Sequence, residues 1–183
     1  MKHSFSNKIS SLFLLVFLLF SCSSDLDFNQ AKDLKLEPAY VANLAYFDVP
    51  ANKLTNSGGN QIIFDSRDFD IFKKQFFRDY LSKAEFDVEI ENNIQRSFVV
   101  NMLFLNSKNQ VLITKTFSVP AYTGTSNVIK YPTEVFENQR LELLKQTEQI
   151  GFIVLMASGT PLDQSSLGNL KFRSSATAYF TIQ

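Results

Sequence analysis

From Lys83 onward the hydrophobic period of this sequence is two, and that property confines most of the chain to sheet. Phe86, Val88 and Ile90 alternate with Glu85, Asp87, Glu89 and Glu91, so a strand here buries one face and turns an acidic one to water. Asn92-Asn93 reads as a turn, Phe98 to Leu105 as a nearly continuous apolar strand, Ser107-Lys108-Asn109 as a second turn, and Gln110 to Val119 as an alternating strand. Joined by short turns, these three strands are expected to form an antiparallel meander. Upstream, Tyr40 to Val49 alternates small and aromatic residues up to Pro50 and reads as a strand. A loop at 52–60 containing Gly58-Gly59 and a short strand from Gln61 to Asp65 follow. Downstream, Asn127 to Tyr131 reads as a short strand, Gln149 to Ala157 as a central one, and Leu170 to Ile182 as a closing strand or bent pair.

Two segments break this period. Phe69, Phe72, Phe76 and Tyr80 recur at spacings of three and four with Lys73, Lys74, Arg78 and Asp79 between them. The spacing predicts an amphipathic helix of about three turns, with Asp68 as its N-cap and Asp70 in its first turn. After Pro132-Thr133, Val135, Phe136, Leu141 and Leu144 stand among charged residues, which predicts a second helix over 134–147. The expected architecture is mainly β: an antiparallel β-sandwich of seven to eight strands with two short helices. A closed β-barrel is the alternative, because strand count does not separate the two.

The amino terminus follows a different logic. Lys2, His3 and Lys8 precede the apolar run Leu12 to Phe20, and the small residues Ser21, Cys22, Ser23 and Ser24 come directly after it. This is the order of regions in a signal peptide. Nine apolar residues at 1.5 Å rise cover less than half of a ~30 Å hydrocarbon core, too little for a membrane span. Leu19-Phe20-Ser21-Cys22 resembles the lipobox of bacterial lipoproteins, with Phe20 bulkier than the small or β-branched residue usual there. The resemblance implies cleavage between Ser21 and Cys22, a diacylglyceryl thioether on Cys22 and acylation of the new amino terminus. It therefore implies attachment to a membrane through lipid, without any span. Because each buried methylene adds about 0.8 kcal/mol, two or three acyl chains hold a protein on a bilayer where one binds reversibly. Ser23 stands where aspartate favours inner-membrane retention in well-studied enteric systems, so the resemblance points to the outer membrane of the cell envelope. Asp25 and Asp27 resemble the acidic export tags of some surface-exposed lipoproteins, and a polar tether reads the same way. The expected organisation is a signal peptide over 1–21, a lipid-anchored tether over 22–38 and one sandwich domain over 39–183.

Composition narrows the chemistry. Cleavage after Ser21 would leave 162 residues, a size for one domain, and would remove Lys2 and Lys8 while keeping all 18 acids, for a formal charge of −2. Such a balance offers no electrostatic attraction to nucleic acid. The only histidine, His3, leaves with the signal, and acylation would consume the only cysteine. Ser-His-Asp and Cys-His mechanisms, His-ligated zinc, thiol redox chemistry and disulfides then have no residues to work with. Gly58-Gly59 lacks the frame of a phosphate-binding loop. No cofactor is called for.

Carboxylates and aromatics remain. Asp65, Asp68 and Asp70 place three carboxylates within six residues, the makings of a Ca²⁺ site, but the spacing is not that of an EF-hand, and helix capping accounts for Asp68 and Asp70 without a metal. Glu85, Asp87, Glu89 and Glu91 include pairs at the ~6–7 Å separation of alternate strand residues, as in a glycoside hydrolase. Strict alternation reads instead as a solvated face that discourages edge pairing. Tyr40, Tyr46 and Tyr122 are candidates to stack on sugar, Tyr122 foremost because it sits in a loop. No catalytic set stands out. The expected role is a non-enzymatic, lipid-anchored envelope lipoprotein that binds a partner, with an envelope protein complex or a surface glycan as candidate partners. Carriage of a hydrophobic ligand or glycan is the alternative, and carboxylate-based glycoside hydrolysis a more distant one.

Overall fold

The computed structural model describes residues 35–54, 61–125 and 128–182, with the backbone alone for 61–68, Asp70 and Lys73. Cys22, the apolar run before it, most of the expected tether and the Gly58-Gly59 loop lie outside the described residues, as do the side chains of Asp65, Asp68 and Asp70. Among the described residues nine strands form two antiparallel sheets. They are β1 (Ala39–Pro50), β2 (Gln61–Asp68), β3 (Leu81–Asn92), β4 (Arg96–Leu105), β5 (Val111–Val119), β6 (Val128–Lys130), β7 (Glu134–Phe136), β8 (Gln149–Gly159) and β9 (Asn169–Phe180). The first sheet runs β1-β9-β3, with β6 and β7 sharing the far edge of β3; the second runs β2-β8-β4-β5. Because β6 and β7 occupy one strand position, eight positions make up a sandwich, and the two sheets stay separate rather than closing into a barrel.

The core lies where the two inner faces meet. Phe86, Val88 and Ile90 of β3 face it from one sheet; Phe98, Val100, Met102 and Phe104 of β4 face it from the other. Nine of the described phenylalanines are buried, each contributing roughly 1.5–3 kcal/mol of transfer free energy. Six of them gather in two clusters. Phe172 stacks on Phe47 at 5.2 Å and meets Phe152 edge-on at 4.8 Å. Phe136 lies 4.7 Å from Phe86 and 5.7 Å from Phe104.

The expected meander is corrected. β4 and β5 do form a hairpin, and Asn106 holds its turn by accepting from the N–H groups of Lys108 and Gln110 at 2.9 and 3.0 Å. β3, however, pairs with β9, β6 and β7 and never with β4. The residues after β3 are a corner between sheets. Fully buried Asn92 donates to the carbonyls of Arg96 and Pro120 at 2.8 and 2.7 Å and accepts from Ile94 N–H at 3.0 Å. Alternation of identical phase results whether two strands lie side by side or face each other across a core, and here they face each other.

Both helices are shorter than their spacing predicts. Asp70–Lys73 is a single 3₁₀ turn, Lys74 is extended (ψ 124°), and only Gln75–Tyr80 is α-helical (α1). The break reorients the aromatic stripe, so that Phe69 and Phe72 contact each other at 5.2 Å while Phe77 packs on Phe180 at 5.1 Å. Asp68 is not an N-cap: it ends β2 opposite Gln149, and the N-cap position of the 3₁₀ turn falls on Phe69 without a side-chain bond. The second helix, α2, covers Asn138–Lys145 rather than 134–147. Glu134 to Phe136 are strand because period-two geometry buries Phe136 beside Phe86 while Val135 faces out. Pairing of the unit Leu36–Ile182 begins with a Leu36–Ile182 bridge, three residues before β1.

Candidate functional site

The two lateral edges of the sandwich are finished differently. At the β5 edge, Glu134 of β7 pairs with Lys115 of β5 and with Arg140 of α2 at 2.7 Å, and the Tyr131 hydroxyl donates to the Ser118 carbonyl at 2.8 Å. Burial raises the Glu134 carboxyl, but the hydrogen bonds and charges of Lys115 and Arg140 outweigh it and hold the group below its ordinary value. Burial pushes the Tyr131 phenol up to about 12, which keeps it a hydrogen-bond donor. These bonds close the edge.

The β1 edge is open, and one irregularity explains how. A bulge between Asn43 and Ala45 inserts a residue into β1, and an inserted residue reverses which side chains face inward. Before it, the inward register positions are Tyr40 and Ala42, opposite Ala178 and Ala176; after it they are Ala45, Phe47 and Val49. The bulge disrupts the ladder at Ala45, and the buried hydroxyl of Ser174 replaces it, accepting from Ala45 N–H at 3.1 Å and donating to its carbonyl at 3.3 Å.

On the Tyr40 side of the bulge lies a cleft of about 500 Å³, within the roughly 300–1,000 Å³ range of small-molecule sites. Its floor is a patch of small side chains from three neighbouring strands: Ala42 of β1, Ala176 and Ala178 of β9, and Ala84 of β3. Phe69, Ile71, Phe72 and Phe77, from the segment leading into β3, form the opposite wall, and Tyr40 and Val41 stand at the mouth, 58% and 74% exposed. Asn43 and Thr177 are the polar residues of the lining. Space exists because alanines stand where phenylalanines fill the rest of the core. Apolar walls, an open mouth and few polar groups suit a hydrophobic ligand held by burial.

The acidic alternation of β3 is corrected by its surroundings. β3 is a central strand, with β9 on one side and β6 and β7 on the other, so its acids do not guard an edge. Glu85 bonds Lys83 and the Tyr179 hydroxyl, each at 2.8 Å; the Lys83 bond first, then that of Tyr179, holds its carboxyl low. Asp87 accepts from Thr133 at 2.6 Å. Glu89 and Glu91 lie opposite Arg173 and Lys171 of β9, as cross-strand ion pairs of 3.4 and 3.7 Å. A polar groove of about 540 Å³ runs past Asp87 and Glu89 where Tyr131-Pro132-Thr133 interrupts the strand between β6 and β7, and Lys130 and Arg173 line it with them.

Tyr122 sits at the opposite end from the cleft mouth, half-buried, its backbone N–H donating to the Ile94 carbonyl at 2.8 Å. It borders a depression of about 350 Å³ with Ile94, Pro161 and Leu167. The structure does not bring Tyr40, Tyr46 and Tyr122 together: Tyr40 flanks the cleft, and Tyr46 lies beyond the bulge on an outward position of β1. Among the described residues no group of three or more His, Cys, Asp or Glu is placed to hold a metal ion, and no helix is long and apolar enough to cross a membrane. The cleft itself escaped the sequence reading, because alanine carries little hydrophobic weight. The signal for it was present in Ala176-Thr177-Ala178, small residues at period two inside a strand.

No protein-family model matches the chain, and no curated protein matches it. Among solved structures, the VP2 subviral particle of infectious bursal disease virus is similar at TM-score 0.43 and 15% identity, over 79% of this chain and 37% of that one. A candidate secreted protein of Parabacteroides distasonis ATCC 8503 is similar at TM-score 0.44 and 12% identity, over 68% of this chain and 40% of that one. The chain thus spans well under half the length of either. Likenesses this weak assign neither family nor function.

Proposed function

We propose that this chain is a lipoprotein of the bacterial cell envelope, anchored through acylated Cys22 to the outer membrane, whose domain has a non-enzymatic binding role. In this reading the β1-edge cleft binds a hydrophobic ligand. The observation that carries the binding role is the cleft itself, about 500 Å³ of apolar-walled space floored by four alanines. Support for the anchor comes from Leu19-Phe20-Ser21-Cys22 and the regions preceding it. The engagement of all four β3 acids with cations or hydroxyls supports a structural use of those acids over a hydrolytic one.

Two experiments test the two halves. Labelled palmitate is expected to enter the wild-type protein and not Cys22→Ser, which should be released from the membrane; label in both, or in neither, contradicts the anchor. Titration of purified protein with a fluorescent long-chain fatty acid is expected to show saturable enhancement that Ala178→Leu abolishes. Equal enhancement in the variant would place the probe elsewhere, and no enhancement in either would remove the binding role.

A further inference from the structure

Exposed aromatic side chains gather where the chain enters the fold. Tyr40, Phe76 and Tyr80 are 58%, 41% and 38% exposed, and they group around one buried ring. Phe180 lies 5.6 Å from Tyr40 and 5.2 Å from Phe76, which in turn lies 5.2 Å from Tyr80. Two residues after Phe180, Ile182 pairs with Leu36, itself 49% exposed, and Thr181 N–H donates to the Tyr80 carbonyl at 2.9 Å. The rim therefore surrounds the entry point of the chain, and Tyr40 and Val41 join it to the mouth of the cleft.

On the reading of Cys22 as the anchor, we infer that this rim seats on the anchoring bilayer, with Tyr40, Phe76 and Tyr80 at headgroup depth and the cleft mouth turned toward lipid. Thirteen residues separate Cys22 from Leu36, and the steps between the two span at most about 50 Å. A bilayer holding Cys22 is thus always within reach of the rim. A short tether also sets an effective concentration in the millimolar range, so contacts too weak to recruit a free protein suffice to orient a tethered one. Tyr and Phe suit the interface, where rings are buried and a hydroxyl stays wet. Charges close in sequence to the rim nearly balance, Lys35, Lys74 and Arg78 against Glu37 and Asp79, so the contact rests on apolar burial and persists in salt. A second copy fits the rim poorly: rings of about 150–250 Å² each that are already about half buried leave roughly 200–350 Å² per copy, and about twice that over two copies is still short of the roughly 1,200 Å² total of a stable interface. Seated this way, the cleft would take an apolar ligand from the bilayer without passing it through bulk water.

The chain contains no tryptophan, so a single introduced one reports its own surroundings. Phe76→Trp and Tyr40→Trp mark the rim. Leu167→Trp, at a position 87% exposed, marks the far end of β9, about 37 Å of strand away. Each full-length protein is purified with its lipid confirmed by intact mass, checked for cooperative unfolding, and reconstituted in phosphatidylcholine vesicles with and without brominated acyl chains. Both rim reporters are expected to emit blue-shifted light and lose intensity in brominated vesicles, at low and high salt alike, while Leu167→Trp is unaffected. The inference is overturned if acylated protein shows no quenching at the rim, if blue-shifted emission without quenching reveals a second copy there, or if Leu167→Trp is quenched equally. Absence of the lipid mass on Cys22 overturns the anchor reading, and this inference with it; an acylated protein with an unquenched rim overturns this inference alone.

Discussion

Ser174 shows how one hydroxyl positions a site it does not line. Valine or alanine at this inward position would suit a sandwich core, yet a serine stands there because the bulge in β1 leaves both backbone groups of Ala45 in need of a partner. Ser174→Ala is expected to cost about 1–3 kcal/mol in urea unfolding, the penalty of leaving buried polar groups unmet. It should also weaken fatty-acid binding, because Tyr40 and Ala42 lose the offset that aims them into the cleft; an unchanged affinity would separate the bulge from the site. At the closed edge, Glu134 carries a pH dependence of definite sign. Its folded-state carboxyl lies below the ordinary 4.5. Its contribution to stability is therefore complete above that value and is lost as pH falls through the lower folded one. Glu134→Gln should flatten this part of the stability profile. The difference is expected to be about 1 kcal/mol at neutral pH, since the pair stays partly solvated at 21% exposure of the Glu134 side chain.

At the level of elements, strands were legible and, the β4-β5 hairpin apart, their partners were not. Phe86, Val88 and Ile90 mark β3 unmistakably, but the same alternation serves a strand paired with β4 or one facing it across the core. Asn92-Asn93 did signal a reversal; what it could not show was that fully buried Asn92 is the hinge of a corner, bonded as far away as Pro120. Asn92→Leu is expected to destabilise by about 2–3 kcal/mol, because three backbone groups lose their partner at once. Loss of less than half a kcal/mol in the same unfolding assay would mean that the corner is held by other contacts. The helices were misjudged for a related reason. Aromatic spacing of three and four over Phe69 to Tyr80 reflects which rings reach the sandwich rim. Contact with Phe72's neighbours and with Phe180 is met by a 3₁₀ turn, an extended residue and six residues of α-helix. Tertiary packing decides such short helices, since isolated ones of this length are unstable.

For the whole molecule, the sandwich follows from phenylalanine-rich inner faces, and the candidate site from their local absence. Three strands contribute alanine where the rest of the core has Phe, Val or Ile, and the segment from Phe69 to Phe77 covers the resulting space without filling it. Carriage of a hydrophobic ligand had no place in the sequence, since Ala42, Ala84, Ala176 and Ala178 become neighbours only once β1, β9 and β3 are in register. Leu36, the aromatic rim and the cleft mouth then fall on one end of the fold, as the proposed exchange of apolar molecules with a membrane would require.

Native mass spectrometry of protein extracted from its membrane in detergent tests the cleft most directly. Wild-type protein is expected to carry, beyond the covalent lipid on Cys22, a non-covalent apolar molecule that is shed on activation, and Ala178→Leu is expected to carry the covalent lipid alone. A wild-type spectrum with no such adduct, or an adduct retained undiminished in Ala178→Leu, would contradict a ligand in the cleft.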